Sequence, residues 1–166
     1  MIPGNTVMQI RDYQVADAAT LVGIFRSAVL EGSAPLYTAE QRKAWASRIA
    51  SGEALHERLK DQTCLVAIGD SGALGFTALQ VNGHLDMLFV LPGQRRSGTA
   101  GALHDALLER AASAGHAGLS VHASHLARRF LAKRGWQFVR TETVNLHGVT
   151  LEHHYMTLQL GQAGKL

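Results

Sequence analysis

The chain has 166 residues, 46% hydrophobic and 17% charged, with a formal net charge of +3. That suits one soluble globular domain with its own core, spanning residues 1–166 with an ordered part over about 7–160, and the mild positive balance is too diffuse for a nucleic-acid surface. One cysteine, Cys64 in an apolar run, rules out an internal disulfide framework. No basic segment leads into an apolar leader and no apolar stretch reaches membrane-spanning length, so the expectation is a cytoplasmic protein that meets no membrane.

Val7–Asp12 reads as a first strand. Asp17 is placed to cap a helix whose apolar face is Ala18, Leu21, Val22, Phe25, Ala28 and Val29. Gly32-Ser33-Ala34-Pro35 breaks it, and Thr38–Ile49 and Glu53–Lys60 form two short helices. Thr63–Ile68, Leu74–Val81 and His84–Leu91 follow as three strands. Gly69-Asp70-Ser71-Gly72 joins the first two, and Asn82-Gly83 joins the others as a two-residue hairpin turn, so the three run antiparallel. Cys64, inside the first of them, reads as a small buried hydrophobe.

Pro92-Gly93 stops the His84–Leu91 strand, and a helix starts near Gly98 with the stripe Ala100, Leu103, Leu107, Ala111 and Ala114. Leu119–Ala123 is a fifth strand; reached through a helix, it must run parallel to the fourth. Ser124 caps a further helix, on which Arg128, Arg129, Lys133 and Arg134 form a solvated basic face. Trp136–Leu146 and Val149–Leu160 close the chain as a hairpin. The buried parity of that last strand changes between Leu151 and Met156, which a bulge near His153-His154 would reconcile. The result is a mixed α/β fold: six or seven strands, mostly antiparallel, one parallel and splayed pair, and helices on both faces.

Between the fourth strand and its helix stands Arg95-Arg96-Ser97-Gly98-Thr99-Ala100-Gly101. Small residues admit a close approach to the backbone, a helix N-terminus offers free N–H groups, and two arginines add charge. This is a cradle for an anion, most simply a diphosphate. Neither the dinucleotide fingerprint nor the Walker pattern is present. Arg95-x-x-Gly98-x-Ala100 resembles the loop with which GNAT acetyltransferases grip the pyrophosphate of acetyl-coenzyme A. The resemblance runs from Ile10-Arg11 to Leu160. Leu85-Asp86-Met87-Leu88-Phe89-Val90, Ala127-Arg128-Arg129-Phe130, Arg134-Gly135-Trp136 and Gly148-Val149-Thr150-Leu151 are most similar to the YafP-like branch of that family. Where the family has glycine and then a basic residue before its central glycine, Arg96 and Ser97 stand here.

The resemblance implies a GNAT acyltransferase fold and an acetyl-CoA-dependent N-acetyltransferase acting on a primary amine of a small molecule or a protein, with a homodimer allowed. Acetyl-CoA would meet Arg95, Arg96, Ser97, Gly98, Thr99, Ala100 and Gly101 through its diphosphate. The backbone of Leu88, Phe89 and Val90 would hold its thioester end, and His122 would offer a hydrogen bond. Tyr37 and Trp45 fall where the family walls its acceptor. Asp86 is the first candidate for general base and His84, two residues away on the same strand face, the second. The tyrosine that relatives carry after the fifth strand is replaced by Leu131, leaving Ser124, His125, Tyr155 or water to serve the leaving thiolate. The nine histidines come with no thiolate partners and no metalloprotease spacing, so no metal is expected. The competing reading is a coenzyme-A-binding regulatory module with little catalysis. The missing tyrosine favours it; Asp86 and His84 oppose it.

Overall fold

The computed structural model describes residues 8–161. Val7 of the expected first strand, the start before it, and the tail beyond Gly161 lie outside the described residues. One sheet of seven strands runs β1 (Gln9–Asp12), β2 (Thr63–Gly69), β3 (Gly72–Leu79), β4 (His84–Val90), β5 (Gly118–Ala123), β7 (Val149–Gln159), β6 (Gln137–Leu146) from edge to edge. Every neighbouring pair is antiparallel except β4 and β5. That parallel pair follows from its connection. The α4 helix (Thr99–Ser113) carries the chain back along the sheet, so β5 must start at the same end as β4.

Two apolar layers sandwich the sheet. Leu21, Phe25, Leu55 and Leu59 of α1 (Ala18–Ser27) and α3 (Gly52–Leu59) pack with Val66, Phe76 and Met87 on one face. On the other, Leu103 and Leu107 of α4 and Leu131 of α5 (His125–Ala132) pack with Leu65, Leu85, Val121 and Met156. A short helix, α2 (Ala39–Ala46), lies against β7. It opens on a reciprocal capping box between Thr38 and Gln41, which satisfies two N–H groups that a helix end otherwise leaves free. Cys64 is 5% exposed and its thiol is pushed up to about 12 by burial, as expected of a small core residue.

Three local expectations are corrected. Asp17 makes no side-chain cap. Its carboxylate accepts from both terminal nitrogens of Arg11 and from the Gln14 N–H, closing a 3-10 turn ahead of α1. The β3–β4 turn has three residues, because the Gln80 N–H reaches His84 O and Val81, Asn82 and Gly83 all lie outside the pair. Gly83 takes the left-handed conformation, at φ +89°, that such a turn needs at its last position. The bulge in the final hairpin is at Val139 of β6, between the pairs Phe138–Met156 and Arg140–Tyr155, and not at His153-His154. β7 keeps an unbroken register with β5. Its buried parity changes because Leu151 lies on the face that α2 covers while Met156 packs into the layer of α4 and α5.

A polar link crosses the second layer. Trp136 Nε1–H donates to His104 Nε2 (3.0 Å), and His104 Nδ1 lies 3.0 Å from Asp105 Oδ1. Indole can only donate, so Nε2 must be the acceptor and the proton of a neutral ring sits on Nδ1, shared with Asp105. His104 is 3% exposed, and burial holds its pKa below the ordinary 6.5. The same direction, with burial as the largest cause, applies to His84, His122 and His154. Below 6.5 the unfolded chain takes up protons that the folded chain refuses, so stability is complete above that pH and declines beneath it. Thermal melts from about pH 8 to about pH 5.5 should show Tm falling once pH drops below the free-histidine value. Trp136→Phe should cost about 1–3 kcal/mol in urea unfolding at the upper end of that range, by leaving a buried acceptor unpaired. A Tm flat across the range would contradict this account.

Candidate active site

β4 and β5 share only two registered pairs, His84–Ser120 and Leu85–Val121, and then separate. A bulge in β4 marks the place. Met87 pairs with Ala78 and Leu85 with Leu79, leaving Asp86 as the extra residue, and bulges increase strand twist. The cleft so formed is lined by Leu85, Val121, Ala123, Ala127 and Leu131 toward α4 and α5. Toward α1 and α2 it is lined by Phe25, Trp45, Arg48, Arg58, Asp86 and Phe89. Leu91 N–H bonds Leu74 O on β3. Strand alternation therefore turns the Phe89 N–H toward β3 as well, and those of Leu88 and Val90 toward the side that β5 has left. Of the three residues expected to offer backbone donors, two aim them into the gap, while Phe89 contributes its ring.

Beyond β4 the chain makes a 3-10 turn (Pro92–Gln94) and enters α4 through the expected cradle. Arg96 sits at φ +64° and Gly98 at φ +90°. These left-handed residues fold the loop back on itself, and Gly98, the N-cap, brings no side chain to close the helix end. Ala102 N–H, bonded to Gly98 O (2.9 Å), is the first to find an acceptor within the helix. The preceding N–H groups of Ala100 and Gly101 point out of the helix end. The buried Thr99 hydroxyl bonds Ser97 Oγ (2.9 Å) and Gln94 Oε1 (3.3 Å), holding the turn. Free N–H groups at a helix start beside two exposed arginines fit a diphosphate. The Arg95 guanidinium reaches toward Gly32, where a Cβ would lie 2.9 Å from it. Arg134 crosses the first turn of α4 above Gly101, bonded to Asp105 and packed on the Phe130 ring. It is the member of the sequence-level basic face that comes to the cradle.

Asp86 is held on every side. Arg58 Nε and Nη2 donate to its two oxygens (2.9 and 2.7 Å), and Gln62 Nε2 donates to one of them (2.8 Å). Burial works against its charge, yet the hydrogen bonds from Arg58 and Gln62 prevail and its pKa is lowered; the side chain is 8% exposed. His84 lies on the same face, as the spacing required. Its Nδ1 meets Ser120 Oγ (2.8 Å) and its Nε2 meets His122 Nδ1 (3.2 Å). His122, which lines the cleft, continues to Glu142 Oε1 (3.4 Å), and His153 Nε2 reaches the same oxygen (3.1 Å). A file of imidazoles thus connects the cleft to the outer strands. The ligand atoms of His122, Glu142 and His153 lie within 4.8 Å of one another. Arg140 already gives Glu142 a cation, so the group is satisfied as hydrogen bonds and one ion pair.

The other candidates separate by contact. Ser124 lines the cleft and its Oγ accepts the Ala127 N–H, capping α5 and keeping its own proton free to donate. Tyr155 stacks under Arg140 (4.5 Å) and beside His122 (5.3 Å between rings), outside the lining. His125 bonds His154 and stacks on Tyr37, whose hydroxyl accepts the His125 N–H. Tyr37 is buried as a brace for α5, whereas Trp45 reaches the cleft. Arg48, Arg58 and Glu142 were not singled out in sequence, and His153 only as the place of a bulge. They come from the turn after α2, from α3, from β6 and from β7, and no local spacing announces them.

A model of the acetyltransferase (GNAT) domain matches residues 33–160. The chain is 33% identical over 149 residues to the uncharacterised N-acetyltransferase YafP of Escherichia coli (strain K12), covering 90% of this chain and 94% of the relative. It is similar to the solved GCN5-related N-acetyltransferase "Aminotransferase, Class-II" of Rhodopseudomonas palustris, at 34% identity and TM-score 0.86, over 94% of this chain and 99% of that one. The Thermoplasma acidophilum PaiA N-acetyltransferase, solved in complex with coenzyme A, shares the fold at 19% identity and TM-score 0.72, over 92% and 99% of the two chains.

Removing one partner of the Arg58–Asp86 pair leaves a half-buried guanidinium without its anion. Such losses reach about 3–5 kcal/mol when both groups are buried. Arg58 is a third exposed, so about 2 kcal/mol is expected for Asp86→Ala in denaturant unfolding at neutral pH. A variant as stable as the parent would show the pair to be incidental.

Proposed function

The chain belongs to the GNAT acetyltransferase family, and from that premise we propose that this domain moves the acetyl group of acetyl-CoA directly to a primary amine in the β4–β5 cleft. The observation that carries the reading is the coincidence of two openings. The parallel pair ends after two registers, and the unfilled N-terminus of α4 lies at the far end of the same strand. A diphosphate held by the N–H groups of Ala100 and Gly101, with Arg95, Arg96 and Ser97 around it, lets a thioester arm run along β4 toward Leu88 and Val90. Acetyl-CoA supplies the activated acyl carbon. The Leu88 and Val90 N–H groups, free of β5, are available to the carbonyl oxygen as it gains charge.

Asp86, tied to Arg58 and Gln62 and with a lowered pKa, is a weak base. We assign it the role of positioning Arg58 at the cleft wall. The imidazole pair His84–His122 has the better chemistry for accepting the ammonium proton. Both rings are held below 6.5 and so are neutral at pH 7, His122 faces the cleft, and Glu142 leads outward from it. The groups bearing on this pair are Asp86 from β4, Ser120 from β5, Arg140 and Glu142 from β6, and His153 and Tyr155 from β7. The Ser124 O–H, on the cleft lining and not used by its own cap, serves the departing sulfur as hydrogen-bond donor in place of the absent tyrosine.

Gly98→Glu should abolish acetyl-CoA binding in calorimetry while the protein stays folded, because it sets bulk and negative charge where the backbone must meet phosphate. The rate with an accepted amine, read as thiol release, should fall on the acid side of neutrality. The double variant His84→Gln/His122→Gln should lose about a hundred-fold at neutral pH, with less loss at high pH, where more amine is already neutral. Unchanged affinity in folded Gly98→Glu would remove the cradle. Tight binding of acetyl-CoA with no transfer to any amine would favour a regulatory module.

A further inference from the structure

The acceptor wall of the cleft holds two guanidinium groups and one carboxylate. Arg58 and Gln62 occupy both oxygens of Asp86. Arg48, which follows α2 and lines the cleft beside Trp45, makes no side-chain hydrogen bond or ion pair among the described residues. Most of the other arginines are engaged: Arg11 with Asp17, Arg110 with Asp12, Arg134 with Asp105, and Arg26 with the carbonyls of Ile49 and Ala50. Partial burial, and then the neighbouring charge of Arg58, act against the Arg48 cation, and Asp86 offsets this only in part. The wall therefore carries an uncompensated positive charge inside a concave site.

We propose that the acceptor is an amine that also bears an anionic group, a carboxylate or a phosphate monoester, and that Arg48 receives that group. The proposal rests on the transferase reading above and narrows it. A guanidinium offers paired N–H donors matched to the two oxygens of a carboxylate or to a phosphate edge. An anion at Arg48 relieves the repulsion from Arg58 as well as the desolvation of Arg48 itself. The same positive field disfavours the ammonium form of an amine held nearby, which is the form that cannot attack a thioester. It repels a polyamine, which brings further positive charge. Phe25, Trp45 and Phe89, packed edge to face or tilted against one another, give the body of such a molecule an apolar wall.

The test is a set of matched acceptors: amino acids of several chain lengths against their amides, O-phosphoethanolamine against ethanolamine, and spermidine as the polycation. Each is assayed for thiol release, with acetyl-CoA affinity measured by calorimetry in parallel. The anionic member of a pair should be preferred at least ten-fold in kcat/KM, and the responding pair tells carboxylate from phosphate. Arg48→Gln should collapse that ratio by raising KM for the anionic acceptor about ten- to a hundred-fold. Arg48→Lys should restore part of it, and acetyl-CoA affinity should stay at the parent value in both. Preference for neutral amines or spermidine, or an equal loss on charged and neutral acceptors in Arg48→Gln, overturns the proposal while leaving the transferase reading in place. Absence of acetyl-CoA binding in the parent overturns both.

Discussion

The site depends on two parallel strands that stop pairing. After Leu85–Val121 the chain spends the next five residues of β4 with no partner on its β5 side. An unpaired strand edge within a sheet is ordinarily costly, because each N–H and C=O there goes without its ladder bond. Here the extra residue at Asp86 turns the strand, and Ser124 ends β5 by capping α5 immediately beyond it. The two strands are led apart by their own local structure. The gap gives donors to a ligand and lets side chains from both layers meet: Leu131 and Ala127 from one side, Trp45 and Arg58 from the other.

The two walls of that gap differ in kind. The α5 side is aliphatic, lined by Ala127 and Leu131, and offers apolar packing to the end of a thioester arm. The α1–α3 side is aromatic and cationic, with one carboxylate held low by its partners. A carboxylate gripped by a guanidinium and an amide is a poor place to put a proton, whereas neutral imidazoles in contact with one another can take one up and spread it. Burial lowers the affinity of His84 and His122 for protons, which favours their neutral forms.

Much of the fold was legible because its signals are local. Apolar period, Gly and Pro punctuation and the connection through α4 gave the elements, the sheet's mixed character and the parallel pair. The misplaced bulge and the missed site residues share one cause. The change of parity in β7 looked like a bulge because a sequence shows which residues are buried but not which layer buries them; α2 covering Leu151 is a long-range fact. Strand spacing placed His84 and Asp86 on one face, but the residue that decides what Asp86 can do, Arg58, lies 28 positions earlier on the helix α3. The imidazole file draws on β4, β5, β6 and β7, so no spacing rule could assemble it. The helix start, glycine and basic residues of the loop before α4 are contiguous and so could be read together, whereas Arg134, which reaches over Gly101, comes from beyond the end of α5.

Cys64 carries a consequence of another kind. Its sulfur lies in β2 beneath α1 and α3, and deprotonation is suppressed until about pH 12. Alkylating and disulfide reagents attack the thiolate, so the folded molecule is nearly invisible to them. A chain that opens presents one ordinary cysteine. The rate at which a maleimide or an aromatic disulfide modifies this protein is therefore a clock for the opening of its first core layer, built in at a single position and readable without adding a label.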